Sequence, residues 1–314
     1  MQRWGQTAAK VIRYRCVHCA KSSTWKRPDN HPQWFPVFLK YLISKTPLEE
    51  VARLHKVSSR TLMRAFEPYW MVAPLPLPQV KSDVIILDGT SLNGRTDTAL
   101  IARSVVNVKS WKFVYRENEA SWTLLLNSIS DDALVVVCDG QKGLIKAIYT
   151  RWKDVKIQRC IKHVKQGVLI KLSTHPKTLA GQDLYQISKD LTKVWTRRQK
   201  RRWIRRFIKW QKKYSSYLSQ RSTGILPSGR KHSWFTHKRL RGASSLISGA
   251  LPDLFRYVGH YHIPRTTNHL EGGINARIKE LIHSHRGLPL WKKQIFVAYF
   301  LRTKQGRKPT RFVT

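Results

Sequence analysis

Two aliphatic runs in this chain lead into the same dipeptide. VIILDGT (84–90) and LVVVCDG (134–140) each carry a strand-like stretch into Asp-Gly, which puts Asp88 and Asp139 in matching contexts. A third acid, Glu271, stands in RTTNHLEGGINARIKELIHSHRGL (265–288). There Glu271, Asn275 and Lys279 recur every four residues and would share one helix face, with Ile274, Ile278, Leu281 and Ile282 on the other. Acids are scarce, 18 Asp+Glu against 59 Lys+Arg, so three in such settings point to chemistry that needs carboxylates.

Three carboxylates in one place repel one another and raise each other's pKa. A divalent cation removes the repulsion. Mg²⁺ takes carboxylate oxygens and keeps positions for water and phosphate oxygens. Two such ions can hold the attacking and leaving oxygens of an in-line phosphoryl displacement. Asp-Gly after a strand is also an ordinary turn, so the repetition of context, with the third acid, carries the expectation. Gly272 and Gly273 weaken a helix by up to about 2 kcal/mol relative to alanine. They also allow a backbone or a nucleic acid to come close beside Glu271.

Other ligand-type residues are sparse. RYRCVHCAKSSTW (13–25) holds one Cys-x-x-Cys, Cys16 and Cys19. That is half of a closed zinc site, which takes four ligands; a lone pair is also an incidental turn. With Cys138 and Cys160 the chain has four cysteines, too unevenly spaced for a disulfide scaffold and in keeping with a reducing compartment.

Placing the acids requires a sheet. VIILDG, TALIARSVVNV and WKFVYRE read as three successive strands, with LNGR as the turn between the first two. EASWTLLLNSIS then reads as a helix, ALVVVCDG as a strand, GLIKAIYTRW as a helix, VKIQRC as a short strand and HVKQGVLIKL as a helix. Antiparallel strands followed by parallel ones with crossovers predict a mixed α/β sheet of the ribonuclease H kind over 80–175 and 256–314. Each Asp would then sit at the carboxyl end of its strand, where open α/β sheets place ligands.

The remaining segments surround that core. Residues 176–255 read as a helical insertion, in which Trp203, Phe207, Trp210, Tyr214 and Tyr217 fall on one helix face and the intervening Arg and Lys residues on the other. Pro74, Pro76 and Pro78 mark a linker within 71–83. Upstream, PLEEVARLHKVSSRTLMRAF places Leu48, Val51, Ala52, Leu54, Val57, Leu62 and Phe66 on the apolar faces of two helices. Ser58 would cap the second, exposing Arg60, Thr61 and Arg64. That is the outline of a helix-turn-helix over 31–72, whose second helix enters a major groove. Lys56 stands where the turn often has glycine. Residues 1–30 form the segment of the Cys pair.

A formal charge of +41 on 314 residues runs the whole length of the chain and must coat its surface. Phosphate backbones are the usual partner of such a surface, through counterion release. No apolar run reaches the roughly 18 residues of a membrane span, and no signal peptide precedes a small-residue cleavage site. A cytoplasmic, nucleoid-associated protein without a membrane partner is the expectation.

At LDGT with Asp88, VVVCDGQKGL with Asp139, QRCIKHV, and TTNHLEGGINARIK with Glu271, the chain resembles the DDE transposases of bacterial insertion sequences, within the Mutator-like group. The resemblance spans nearly the whole chain and keeps the order of its parts. It implies DNA transposition in which water, and then a freed 3′-OH, attacks phosphodiesters with two Mg²⁺ or Mn²⁺ ions. Asp88, Asp139 and Glu271 carry over as metal ligands. Cys160 and His163 match the Cys-x-x-His of the group in a supporting role, with Asn268 and Asn275 beside Glu271; Lys279 joins Arg60, Thr61 and Arg64 as an expected DNA contact. The implied partners are double-stranded DNA, as terminal inverted repeats and as target, and a second copy in a dimer or larger assembly. The group also implies an all-helical insertion between Asp139 and Glu271.

One departure stands out. Relatives with a zinc ribbon have a second Cys-x-x-Cys upstream, which MQRWGQTAAK lacks. Either the start lies inside a longer ribbon, or the ribbon has decayed and Cys16 and Cys19 no longer hold Zn²⁺; a third option, in which Cys16 and Cys19 share a Zn²⁺ with Cys160 and His163, requires distant segments to meet. The alternative to a working transposase is a catalytically idle, element-derived DNA-binding protein, which a missing carboxylate would mark.

Overall fold

A computed structural model describes residues 1–24, 31–78, 80–94, 96–225, 227–228 and 230–306. Arg95 of the LNGR turn, residues 25–30 of the first segment and residues 307–314 lie outside the described residues. The chain forms two compact units, one over Met1–Val72 and one beginning at Ala73.

The first unit opens with a three-stranded antiparallel sheet, β1 (Gln2–Gln6), β2 (Ile12–Arg15) and β3 (Ser22–Thr24). Cys16 and Cys19 lie in the turn between β2 and β3, where the Cys16 amide donates to the Lys21 carbonyl at 2.9 Å. Three helices follow: α1 (His31–Ile43), α2 (Leu48–Leu54) and α3 (Ser59–Trp70). Phe38, Leu42, Val51, Ala52, Leu62, Phe66 and Trp70 are buried, but Leu54 is exposed, which corrects its assignment to the apolar face. Ser58 caps α3 by accepting from the Thr61 amide at 3.1 Å, satisfying a first-turn N–H that no helix carbonyl reaches. Lys56 takes φ +54° in the turn, the left-handed backbone that glycine would hold more cheaply. Arg60, Thr61 and Arg64 are exposed on α3.

The second unit is built on a five-stranded sheet. Its strands are β4 (Val84–Asn93), β5 (Thr96–Arg103), β6 (Val108–Val114), β7 (Val135–Cys138) and β8 (Lys156–Arg159), in the order β6-β5-β4-β7-β8. β4, β5 and β6 are antiparallel; β4, β7 and β8 are parallel. This is the mixed α/β sheet the sequence predicts. The connecting helices are α4 (Glu119–Leu126) and α5 (Lys142–Arg151). Trp122, Leu125, Leu144, Ala147 and Ile148 from these helices pack with Ile85, Leu87, Val136 and Ile157 of the sheet in one core. Strands covered this way on a face read as continuous Val/Ile/Leu runs.

Two expectations are corrected here. Asp88 does not end its strand: β4 continues to Asn93, paired with β5 from Ile86↔Arg103 through Asn93↔Thr96. The apolar run stops at Leu87, but backbone pairing does not depend on it. The second correction concerns the insertion, which is not all helical. After α6 (Ile161–Leu172), α7 (Leu179–Asp190), α8 (Arg197–Lys213) and the short α9 (Ser215–Ser219), a hairpin forms from β9 (Arg221–Ile225) and β10 (Lys231–Phe235). The hairpin is short and polar, and the Trp234 ring lies against Gly224, leaving no room there for a Cβ. α10 (Lys238–Ala250) then returns to pack on α6. Trp203, Phe207 and Trp210 of α8 are buried as expected, their neighbours in the helix being mostly Arg and Lys.

The last elements are a short turn α11 (Asn268–Leu270), a π-turn over Glu271–Asn275, α12 (Ala276–Ser284) and α13 (Leu290–Thr303). Ile274, Ile278 and Leu281 face inward.

Candidate active site

The parallel ladder between β4 and β7 pairs Val84 with Val135, Ile85 with Val136 and Ile86 with Val137. Carried forward two residues, the same register sets Asp88 level with Asp139. β7 ends at Cys138, so Asp139 emerges from the sheet where its neighbour β4 runs on. The two acids therefore stand side by side, one within a strand and one just beyond its end.

Each Asp-Gly has its own close contact. Gly140 takes φ +81°, and a Cβ there would fall 1.7 Å from Arg159 Nε. Arg159 crosses that space to donate to the Asp139 carbonyl at 3.0 Å, while Asp139 Oδ1 accepts from the Gln141 amide at 2.9 Å. At Gly89 a Cβ would fall 2.3 Å from Glu117 Oε1. Glu117 follows β6 and lays its carboxylate over the residue next to Asp88.

Glu271 reaches the pair from the helical side. Its Oε1 accepts from the Thr267 hydroxyl at 2.7 Å, and its Oε2 pairs with Lys162 Nζ at 2.8 Å. His163 Nε2 stands 3.5 Å from Oε1. Asn275, four residues on, donates its amide to Asp88 Oδ2 at 2.8 Å. The π-turn accommodates the Gly272-Gly273 pair, and open space surrounds both glycines. A cleft of about 390 Å³ is lined by Asp88, Gly89, Lys162, His163, Glu271, Gly272, Asn275 and Lys279, among others.

The electrostatics follow from burial and proximity. Burial pushes Asp88 up to about 7; repulsion from Glu271 and Asp139 adds to this, and His163 opposes it. Burial raises Glu117 as well, reinforced by Asp139. Burial also raises Glu271, but hydrogen bonds from Lys162 and Thr267 outweigh it and hold the carboxyl below its usual value. Cys160 Sγ, a His163 ring nitrogen and a Glu271 oxygen lie within 4.8 Å of one another. Cys160 is buried at the end of β8, where the Thr267 amide donates to its sulfur at 3.4 Å. His163 is pushed up to about 9, chiefly by its hydrogen bond with Cys160 and against the cost of burial.

The structure thus brings together Asp88, Asp139, Glu271, Cys160, His163, Asn275 and Lys279. Asn268 is at the margin, accepting from Lys162 at 3.1 Å. Cys16, Cys19, Arg60, Thr61 and Arg64 belong to the other unit. Sequence reasoning missed Lys162 and Glu117. Lys162 sits inside QRCIKHV, between the two residues singled out there, and Glu117 is one of few acids in the chain and ends the run WKFVYRE.

Residues 100–227 match the family model described as Transposase, Mutator family. Over that span the chain is Mutator-like. The Mutator-like span runs from β5 to just past β9; it contains Asp139, Cys160 and His163, and Asp88 and Glu271 flank it. The matched stretch is similar to part of a transposase of that family. No curated protein matches the chain. Among the described residues no helix is long and apolar enough to cross a membrane.

Proposed function

We propose that this chain is a DDE-type DNA transposase with a ribonuclease H-like core, in which Asp88, Asp139 and Glu271 hold two Mg²⁺ or Mn²⁺ ions. The observation that carries the reading is the level placement of Asp88 in β4 and Asp139 just past the end of its parallel neighbour β7, with Asn275, four residues after Glu271, bonded to Asp88. The donor set fits hard cations: the three acids offer oxygens, and the buried Asn275 Oδ1 among them has no hydrogen-bond partner. When bound, such ions activate the attacking oxygen and stabilise the leaving one in an in-line displacement.

The remaining residues have roles of their own. Asn275 orients Asp88. Thr267 fixes the rotamer of Glu271. Lys162 and His163 neutralise Glu271 and supply positive charge at the cleft, where a phosphodiester must approach. Lys279 extends that charge along α12. Cys160, tied to Thr267, anchors the segment that carries Glu271. In the first unit Arg60, Thr61 and Arg64 would meet the major groove and neighbouring phosphates of double-stranded DNA, and Cys16 and Cys19 would supply two ligands to a Zn²⁺ site. Binding of two DNA ends calls for a dimer or larger assembly at the nucleoid.

The deciding experiment is Mg²⁺-dependent cleavage of DNA carrying the flanking inverted repeats, comparing wild type with Glu271→Gln and Asp139→Asn. Cleavage by wild type alone supports the assignment. Equal cleavage by all three would sink it, and tight binding without cleavage by any would mean an idle, element-derived DNA-binding protein.

A further inference from the structure

Lys162 stands in the first turn of α6, between Cys160 and His163. Its root is fixed: the Ile161 amide donates to the Arg265 carbonyl at 3.2 Å, and the Val164 amide to the Cys160 carbonyl at 3.1 Å. Its head is free to move. The side chain is 50% exposed, yet the ammonium is drawn onto Glu271 Oε2 at 2.8 Å and donates to Asn268 Oδ1 at 3.1 Å. The other Glu271 oxygen accepts from the Thr267 hydroxyl. Both oxygens of Glu271 are thus held by donors of the protein itself. Among the described residues, neither Asp88 nor Asp139 has a lysine or arginine paired with its carboxylate.

A half-exposed ion pair of this kind adds little to stability, and Thr267 already fixes the Glu271 rotamer, so the fold has small need of it. The position is also unfavourable for a cation. The first turn of a helix presents unpaired N–H groups and the positive end of its dipole, and α6 has no acid there. Glu271 and the Asn268 oxygen keep the ammonium in place, and a stronger anion within reach of its flexible stem competes for it. The cleft that Lys162 lines, together with Lys279, is where a phosphodiester would enter.

We propose that Lys162 is a place-holding cation that ties the availability of Glu271 to the arrival of DNA. Without DNA its ammonium covers the Oε2 lone pairs that a metal ion needs, and the acids free to take an ion are Asp88 and Asp139. A DNA phosphate in the cleft draws the ammonium away, and Glu271 then offers the freed oxygen to a divalent cation while Lys162 stays on the phosphate. Such coupling is reciprocal: an ion on Glu271 in turn strengthens the hold of Lys162 on the phosphate. The inference deepens the transposase reading and rests on it for the three acids as ligands.

The test is Mn²⁺ titration of the full chain, followed by electron paramagnetic resonance, with and without a duplex carrying one inverted repeat, in samples frozen before cleavage. Without DNA, Glu271→Gln should bind Mn²⁺ within about twofold of wild type, and with DNA about tenfold more weakly. Lys162→Met keeps the stem and removes the charge. Without DNA it should bind Mn²⁺ about tenfold more tightly than wild type, and the double variant Lys162→Met/Glu271→Gln should lose that gain. A gain kept in the double variant would reflect only the removal of a positive charge and would overturn the inference. So would Mn²⁺ binding already weakened about tenfold in Glu271→Gln without DNA, a comparison that does not depend on the folding of Lys162→Met. Asp139→Asn separates the two readings. If it loses Mn²⁺ while the expectations for Lys162 fail, the three acids stand and the inference alone falls; if it binds Mn²⁺ as wild type does, the assignment of the acids falls as well.

Discussion

Asn275, on the π-turn, donates its side-chain amide to Asp88, in the middle of β4, across 2.8 Å. Residues far apart in sequence are joined at the point where helix and sheet meet. Through Asn275 the position of Glu271 is coupled to that of Asp88, so the two acids move as one arrangement.

Asn275→Ala should therefore lower Mg²⁺-dependent cleavage without weakening DNA binding. A hydrogen bond to a charged group is worth about 1.5–3 kcal/mol, so the rate should fall roughly ten- to hundredfold. Single-turnover cleavage and a gel-shift titration on the same protein separate the two effects. A parallel loss of binding would make Asn275 a structural residue only.

Asp88, raised to about 7, makes stability depend on pH in a defined direction. The folded state holds this proton more tightly than the unfolded state, so its contribution is fully present below the ordinary carboxylate value. It is lost as pH rises towards about 7. Asp88→Asn should abolish that fall. Because a metal ion competes with the proton, added Mg²⁺ should raise Tm more at pH 8 than at pH 6. Thermal melts of both proteins, with and without EDTA, test this; an equal Mg²⁺ effect at the two pH values would count against Asp88 as a ligand.

The two glycines after the aspartates should respond differently to alanine. At Gly140 the backbone is left-handed and the Arg159 guanidinium fills the space, so Gly140→Ala should cost about 1–2 kcal/mol or more in urea denaturation. At Gly89 the obstructing atom is the end of the flexible Glu117 side chain, which can swing away. Gly89→Ala should therefore cost less, and the displacement of Glu117 should show as altered Mg²⁺ dependence of cleavage.

Lys109 and Asp131 form a buried ion pair at 2.8 Å, with side chains only 4% and 2% exposed. Asp131→Ala leaves an uncompensated charge under the sheet and should destabilise the second unit by about 3–5 kcal/mol. Replacing both residues by apolar ones of similar size should recover much of that loss, which equilibrium unfolding would reveal.

The sheet was legible because its strands carry unbroken aliphatic runs, and a run covered by helices needs no alternation. The pairing of Asp88 with Asp139 followed from the repeated Asp-Gly. The continuation of β4 through Gly89, Thr90 and Ser91 was not legible, because those residues pair through the backbone and signal a turn by type. The β9–β10 hairpin escaped for a related reason: it buries little, so RSTGI and KHSWF carry no hydrophobic pattern. Glu117 and Lys162 join the site through contacts distant in sequence, which no local spacing encodes.

A π-turn holds one residue more than the helix around it needs. Removing either Gly272 or Gly273 would let the segment relax into regular helix, with a gain in local backbone regularity. Every residue beyond the deletion would then turn by about 100° about the axis. Asn275 and Lys279 would swing out of the cleft while Ile278 and Leu281 left the core. The irregularity thus acts as a phase setting between Glu271 and all that follows it: Asn275, Lys279 and the apolar stripe keep their phase relative to one another, and the extra residue brings that shared phase into register with Glu271.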